Sequence, residues 1–317
     1  MSTQAKIFID GAAGTTGLEI RERLTGRCEL SLITLSDAER KDAAARKRAL
    51  NDADLVILCL PDEAAREAVS LIDNPATRVI DASTAHRVAP DWTYGFAELE
   101  PDGYEKVATA KRISNPGCWA TGFLAIARPL VRAGLLPAGF PVTANGVSGY
   151  SGGGKSMIAE FEDKASADYT ETVSRIYGLN LSHKHIPEMQ MHADLSHPPL
   201  FEPSVGRYYR GMLVELPLQL WALPGEPGPR DIHAALVKAY PDRPLVKVAS
   251  LEDAAAVKSL DAEILAGTNG LTIYVFANEK VAQARVVAAF DNLGKGASGA
   301  AVQNMNIMLG LPETTGL

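Results

Sequence analysis

Three glycines spaced three apart, Gly11, Gly14 and Gly17, stand where a short apolar run, Lys6–Asp10, meets a helix predicted from about Thr15 to Leu24. Glycines at such a point let the chain reverse tightly and let phosphate oxygens approach the backbone. The helix behind them offers free N–H groups and a partial positive charge. Gly26 follows the last turn as a C′ residue should. The spacing is G-x-x-G-x-x-G, not the G-x-G-x-x-G of the dinucleotide fingerprint, so a merely tight βα turn is the competing reading. Its place after the first strand of an alternating segment favours a phosphate-binding turn made by Gly11, Ala12, Ala13, Gly14, Thr15, Thr16 and Gly17.

The alternation continues. Glu29–Leu35 reads as a second strand, and Asp54–Leu60 is a continuous apolar strand of the kind buried on both faces in parallel sheets. Pro61 is placed as the first residue of a helix whose Ala65, Ala68, Val69 and Ile72 share a face, and Arg78–Asp81 is a further strand. Strands alternating with helices over about 120 residues predict a doubly wound parallel sheet of the Rossmann type.

Beyond residue 135 the pattern changes to α+β. Val142–Val147, Gly211–Leu220, Leu245–Ala249, Leu271–Phe276 and Ala282–Phe290 read as strands, the last two forming an antiparallel hairpin around Asn278–Lys280. Leu223–Asp231 reads as a Pro- and Gly-rich surface loop. A final helix is expected from near Ala297, with Ala301, Met305, Met308 and Leu309 on one face and Gly310 and Pro312 ending it.

Composition narrows the function classes. The 317 residues suffice for two domains, and 46% apolar residues exclude a disordered chain. A formal charge of −7 argues against a nucleic-acid binder, which needs clustered cations. No apolar run approaches the roughly 18 residues a membrane span needs, and Asp10 interrupts the N-terminus before a signal-peptide core forms. Three separated cysteines make neither a disulfide framework nor C-x-x-C zinc spacing. A soluble protein of a reducing compartment, by default the cytoplasm, is expected.

Ser36 at the tip of the second predicted strand, with Arg40 and Lys41 close behind, suits the 2′-phosphate of NADP; Asp37 as a ribose ligand of NAD is the alternative. Cys118 follows the turn Asn115-Pro116-Gly117 and opens an apolar stripe, Phe123, Ala127, Leu130 and Val131. A sulfur at a helix N-terminus is favoured as thiolate, which makes Cys118 the candidate nucleophile. Cys28 and Cys59 read as small buried hydrophobes. His183 and His185, in the run His183–Glu188, fall on one face of an extended segment. Without a third ligand at recognisable spacing they read as acid/base partners of a cysteine, not as a metal site. Gly149–Ser156 matches the P-loop pattern letter for letter. Standing late in the chain beside a nucleotide turn already present at Gly11, it reads as a loop for an anion or for the nicotinamide side of a cofactor.

Six runs together resemble the shorter type of the N-acetyl-γ-glutamyl-phosphate reductase family, within the aspartate-semialdehyde dehydrogenase superfamily. They are Gly11–Gly17, Asp81–Arg87, Asn115–Thr121, Val147–Lys155, His183–Glu188 and Asn292–Asn306, spread in order over almost the whole chain. Aspartate-semialdehyde dehydrogenases usually carry Asn where Gly117 stands, and the short type departs from the longer family at His86, where an aromatic is commoner before the arginine. The resemblance implies NADPH-dependent reduction of an acyl phosphate to an aldehyde in arginine biosynthesis, through a thioester on Cys118. It implies His183 as acid/base with His185 as runner-up, and Asn292, Lys295 and Gly296 near the nicotinamide. Arg87 and Lys155 would hold the phosphate and carboxylate of the substrate, with Asn115, Ser148, Gly149 and Glu188 lining its site. It also implies an NADP domain of residues 1–117 with 295–317, a catalytic and oligomerisation domain of residues 118–294, and a homo-oligomer, dimer or tetramer. The competing readings are aspartate-semialdehyde dehydrogenase, a carrier-linked aminoadipyl-phosphate reductase, and a non-catalytic NADP-binding regulator.

Overall fold

Strand β1 (Ala5–Asp10) lies inside the first sheet of the computed structural model, which describes residues 4–317. It pairs in parallel with β2 (Leu30–Ile33) on one side and β3 (Leu55–Leu58) on the other. With β4 (Arg78–Asp81), the two-residue β5 (Thr93–Tyr94) and β6 (Arg112–Ser114), the order is β2-β1-β3-β4-β6-β5, every pairing parallel. The order reverses at β1, so the C-terminal ends of β1 and β3 flank the topological switch point where such sheets take ligands.

Side chains alternate across the sheet and both faces are covered. Ile7, Ile9, Leu55 and Ile57 join Ile20 and Leu24 of α1 (Thr15–Leu24), Val107 of α4 (Gly103–Thr109) and Ala301, Val302 and Met305 of α10 (Gly299–Met308). On the opposite face Phe8, Val56 and Leu58 join Ala49 and Leu50 of α2 (Ala43–Asp52) and Ala65 and Ala68 of α3 (Asp62–Ser70). Two-sided burial is the reason these strands read as uninterrupted apolar runs.

The second sheet is mixed. Its strands are β7 (Thr143–Gly149), β8 (Ser174–Ile176), β9 (Leu200–Gly206), β10 (Met212–Gln219), β11 (Val246–Val248), β12 (Leu271–Asn278) and β13 (Gln283–Phe290), in the order β11-β12-β13-β10-β7-β9-β8. The hairpin of β12 and β13 is antiparallel from Leu271 opposite Phe290 to Asn278 opposite Gln283. The long helix α5 (Cys118–Arg132) packs on β10 and β13. Tyr240, just past α8 (Pro229–Ala239), donates its hydroxyl to the Ala125 carbonyl of α5 at 2.8 Å. Helices α6 (Gly154–Glu162), α7 (Ile186–Ala193) and α9 (Leu251–Ala256) complete the chain.

The chain divides into two compact units. One holds the residues up to Ala97, Asp102–Pro116 and Ala297–Leu317; the other holds Glu98–Pro101 and Gly117–Gly296. The four-residue excursion Glu98–Pro101 is fastened to the second unit by charge. Glu98 accepts from the Lys295 ammonium at 2.7 Å, and Glu100 from Arg128 and Arg132 at 2.5 and 3.1 Å.

Several expectations change. Pro61 is the N-cap of α3 and stands just before its first turn. Pro229–Asp231 belong to α8, because Pro at its first position and Asp231 bonding back to the Gly228 amide start a helix inside the expected loop. A five-residue π-turn, Gly294–Ser298, precedes α10, which begins at Gly299. Cys28 is exposed and not a packing residue, since the chain between α1 and β2 turns along the surface there. Among the described residues no helix is long and apolar enough to cross a membrane.

Candidate active site

Cys118 is the first residue of α5, after Gly117 in extended conformation and with no side chain capping the helix. The first amides of α5 therefore have no carbonyl partner within the helix, and they surround the thiol with partial positive charge. The Gly117 amide donates to Oε1 of the buried Glu188 at 2.8 Å. Glu188 stands in the first turn of α7, directly after His185. One hydrogen bond thus ties the entry of the cysteine helix to the histidine segment.

The imidazoles of His183 and His185 lie 4.8 Å apart, centre to centre, and the His185 amide donates to Nδ1 of His183 at 3.2 Å. A ring nitrogen that accepts carries no proton, so neutral His183 bears its proton on Nε2. The His183 ring also packs 5.0 Å from Phe201, which meets Trp119 edge-on at 5.1 Å, and 6.0 Å from Tyr177. Tyr177 is held well above the usual phenol range, by burial first and by Cys118 second, while a hydrogen bond from Trp119 pulls the other way. Tyr177, His183 and His185 therefore form one cluster, and the charge of Cys118 is felt at the Tyr177 phenol. Tyr177 directly follows the three-residue β8, too short a strand for periodicity to mark it, and sequence reasoning misses it.

Beside the cysteine runs the π-turn. The Gly296 amide reaches back to the Asp291 carbonyl at 3.0 Å, and a methyl group on Gly296 would lie 2.8 Å from Cβ of Cys118. Asp291 is fully buried; its carboxylate accepts from the amides of Leu293, Gly294 and Gly267 and pairs with Arg210 at 2.6 Å. The Asn292 amide group donates to Ser151 Oγ at 2.9 Å and accepts from the Gly211 amide at 2.9 Å. Asn292 thus braces two strand ends, and Lys295 turns its ammonium to Glu98.

The second glycine-rich loop leaves β7, winds through a 3-10 turn (Tyr150–Gly153) and enters α6 at Gly154. A P-loop would run from a strand of a parallel sheet into its helix, whereas β7 lies in a mixed sheet, parallel to β9 and antiparallel to β10, and a 3-10 turn separates it from α6. Ser148 is buried and bonds the Gly149 carbonyl, and Gly149 donates to Gly211. Lys155 is exposed in the first turn of α6.

In the first unit, Gly11 has φ +87° and a methyl on it would lie 2.2 Å from the Cys59 carbonyl; one on Gly17 would lie 2.5 Å from the Gly11 carbonyl. Only glycine lets β1, β3 and α1 close so tightly, and the turn that leaves β1 borders a cavity of about 200 Å³. Gly11, Ala12 and Ala13 line it with the guanidinium side chains of Arg21, Arg40 and Arg46. Arg21 and Arg46 are additions to the residues expected from sequence. Ser36 is not among the lining residues. It forms a reciprocal capping box with Glu39, donating from its amide and hydroxyl to the Glu39 carboxylate at 2.8 and 2.6 Å. Asp37 points to solvent, its side chain 96% exposed, and takes a hydrogen bond from Arg40. Arg87 is buried and donates to the carbonyls of Asn115 and Ala82; Asn115 donates to Ala297 and accepts from Asn304.

Residues 6–107 match the family model described as "Semialdehyde dehydrogenase, NAD binding domain", and residues 118–292 that described as "Semialdehyde dehydrogenase, dimerisation domain". An N-acetyl-gamma-glutamyl-phosphate reductase of Trichormus variabilis is 51% identical, over 98% of this chain and 99% of that protein. One of Brucella ovis is 53% identical, over 96% of this chain and 99% of that protein. The chain belongs to the N-acetyl-γ-glutamyl-phosphate reductase family. Among solved structures, aspartate semialdehyde dehydrogenase from Francisella tularensis superposes with a TM-score of 0.71 at 15% identity, covering 96% of this chain and 100% of that one. Aspartate semialdehyde dehydrogenase II from Vibrio cholerae gives 0.70 at 14% identity, over 97% and 99%. At those identities the likeness carries the fold alone: a parallel sheet and a mixed sheet on one chain.

Proposed function

We propose that this chain reduces N-acetyl-L-glutamyl 5-phosphate to N-acetyl-L-glutamate 5-semialdehyde with NADPH, a step of arginine biosynthesis, through a thioester on Cys118. One observation carries the reading: a thiol at the N-terminus of α5, whose entry is tied through the Gly117 amide to Glu188 of the histidine segment, in a chain aligned almost end to end with reductases of that name.

Cys118 attacks the acyl carbon; a C–S bond forms, and the C–O bond to phosphate breaks with its electron pair. The α5 amides are suited to the oxyanion that develops meanwhile. His183, its proton on Nε2, is set to give that proton to an oxygen of the reacting group and to recover one as the aldehyde is released. Bound reduced nicotinamide supplies the hydride that takes the thioester carbon to the aldehyde level. Collapse then expels the Cys118 thiolate, a good leaving group as well as a good nucleophile. Arg87 and Lys155 are the cations offered for the anionic ends of the substrate; Ser148 and Gly149 end the strand that leads into the Lys155 loop.

The residues present fit the cofactor. The cradle at Gly11 and Gly17 would be filled by any side chain, and Arg40 and Arg21 line the same cavity with cations suited to a 2′-phosphate. Asp37 points outward, and Asp10, the carboxylate that lines the cavity, is engaged by Arg46 at 2.8 Å, which supports NADP over NAD. A homo-oligomer through the second unit is supported by the family model's description and by the exposed Val173, Ile176, Leu179 and Leu181.

The test runs the reaction backwards. N-acetylglutamate semialdehyde, phosphate and NADP should give NADPH absorbance that Cys118→Ser abolishes. Faster turnover with aspartate semialdehyde, or an active Cys118→Ser variant, would refute the substrate or the nucleophile respectively.

A further inference from the structure

We propose that Glu98 and Lys295 are positioning residues for the Cys118 thiol, acting through Gly296 and through α5 itself. The proposal rests on Cys118 being the nucleophile.

Glu98 and Lys295 are 1% and 2% exposed, and their charged ends meet at 2.7 Å. An ion pair taken so far from water is a weak source of stability, since desolvation offsets most of its attraction. What such a pair supplies well is a fixed distance. Lys295 lies inside the π-turn Gly294–Ser298, a geometry that is rare and that marks functional segments when it occurs. The turn is restrained at each step. Asp291 anchors its start, Gly294 packs against the Thr268 carbonyl, and Glu98 holds Lys295. The next residue, Gly296, is the one that bears on Cys118, with a methyl group there 2.8 Å from Cβ and 3.2 Å from Cα of the cysteine. The turn is a ledge under the nucleophile.

The other end of the device is the excursion Glu98–Pro101. Its Leu99 carbonyl accepts from Arg132 at 2.8 Å, and Glu100 binds Arg128 and Arg132. Both arginines belong to the last turns of α5, whose first residue is Cys118. Three consecutive residues therefore reference the ledge below the thiol and the far end of the helix that carries it to one another. Moving Glu98 changes where Gly296 stands relative to Cys118.

The experiment uses the full-length enzyme with Glu98→Asp, which keeps both charges and withdraws the carboxylate by one methylene. Two quantities are read: kcat and KM in the reverse assay, and the rate of Cys118 alkylation by iodoacetamide across pH, followed by mass spectrometry. Positioning predicts kcat lower by about 10²-fold, as misplacement on the ångström scale costs, with a shifted alkylation profile. KM for the semialdehyde and NADPH binding should change less than about threefold. Parent-like kcat and alkylation, whatever the thermal midpoint, would overturn the proposal. If Glu98→Asp does not fold, the double variant Glu98→Gln/Lys295→Met removes both charges together and is read the same way: slowed alkylation supports the proposal, a parent profile overturns it. Alkylation needs no turnover, so this result stands apart from the Cys118→Ser assay that decides whether the thiol is the nucleophile.

Discussion

Gly296 and Cys118 are packed so closely that no side chain fits between them, the nearest approach of an added methyl being 2.8 Å from Cβ and 3.2 Å from Cα of the cysteine. The atoms that would have to move are not the tip of a flexible side chain but the carbon bearing the thiol and the backbone of α5. Gly296→Ala is therefore expected to displace Cys118 and to cost about 1–3 kcal/mol of stability, the usual range for overpacking. Turnover should fall by about 10²-fold for an ångström-scale shift of the nucleophile. Thermal unfolding and kcat measured side by side check this; a stable variant of full activity would show that the site tolerates the shift.

The nucleotide turn makes a separate prediction, because it lies in the other unit. Gly11 combines φ +87° with a Cβ position 2.2 Å from the Cys59 carbonyl. Gly11→Ala would pay the left-handed penalty of about 1–2 kcal/mol and also push β3 away from the turn. NADPH affinity, by fluorescence titration, should drop at least about tenfold, which is 1.4 kcal/mol. Cys118 alkylation should stay at the parent rate, and a change in it would mean that the two elements are coupled.

On the proposed reading, Arg40 is expected to discriminate between the two nicotinamide dinucleotides. It lines the cavity with Arg21 while drawing Asp37 outward at 3.1 Å. Hydrogen bonds to a charged group contribute about 1.5–3 kcal/mol, so Arg40→Ala should raise KM for NADPH by about 10- to 100-fold and leave KM for NADH nearly unchanged. Equal effects on both cofactors would remove Arg40 from the 2′-phosphate site.

The local parts of this architecture were legible in the sequence, the distant pairings were not. Helix α1 runs from Thr15 to Leu24 as its glycine turn and C′ glycine indicate, and β4 is Arg78–Asp81 as read. Strand ends fall one or two residues short elsewhere, as at β3 (Leu55–Leu58), where the apolar run continues past the last ladder bond into the turn. Helix α2 shows no clear stripe because its buried face is largely alanine, Ala45 and Ala49, with Leu50. Its neighbour Ser36-x-x-Glu39 did carry a signal, the capping box, that was there to be read. Cys118 announced itself through a turn and a stripe. The Lys295–Glu98 pair spans 197 positions, and Tyr177 follows a strand of only three residues, so no local pattern encodes either. What a sequence read alone transmits is period and punctuation; contacts between remote segments come only with the fold.

The three thiols should separate by pH. Cys59 follows β3, and burial, with the Asp81 and Asp10 carboxylates adding to it, pushes its thiol from 9.0 up to about 12. In the unfolded chain the same thiol ionises near its ordinary value, so the native state gains from keeping it neutral below about pH 9. That contribution is lost as pH rises from 9 towards 12. Iodoacetamide at pH 8 should label Cys118 and the exposed Cys28 and spare Cys59 in the folded protein. Cys59→Ala should flatten the loss of stability in that alkaline window. Labelling of Cys59 at pH 8 would contradict its partly buried, neutral state.

The last prediction concerns which histidine moves the proton. The amide of His185 donates to Nδ1 of His183, so His183 presents an N–H at Nε2, while the buried His185 lies 4.8 Å away with its ring tilted by 35°. His183→Asn removes that donor and should lower kcat by about 10²–10⁴-fold, the range for general acid–base groups, while NADPH binding stays intact. His183→Gln is the sharper comparison, since it keeps a donor at similar reach but cannot ionise; restored substrate affinity without restored kcat would mark proton transfer and not anchoring. His185→Asn should act mainly through the backbone bond it helps orient, with a smaller loss in kcat. Should His185→Asn prove the more damaging of the two, the proton passes through His185, and His183 is the residue that holds it in place.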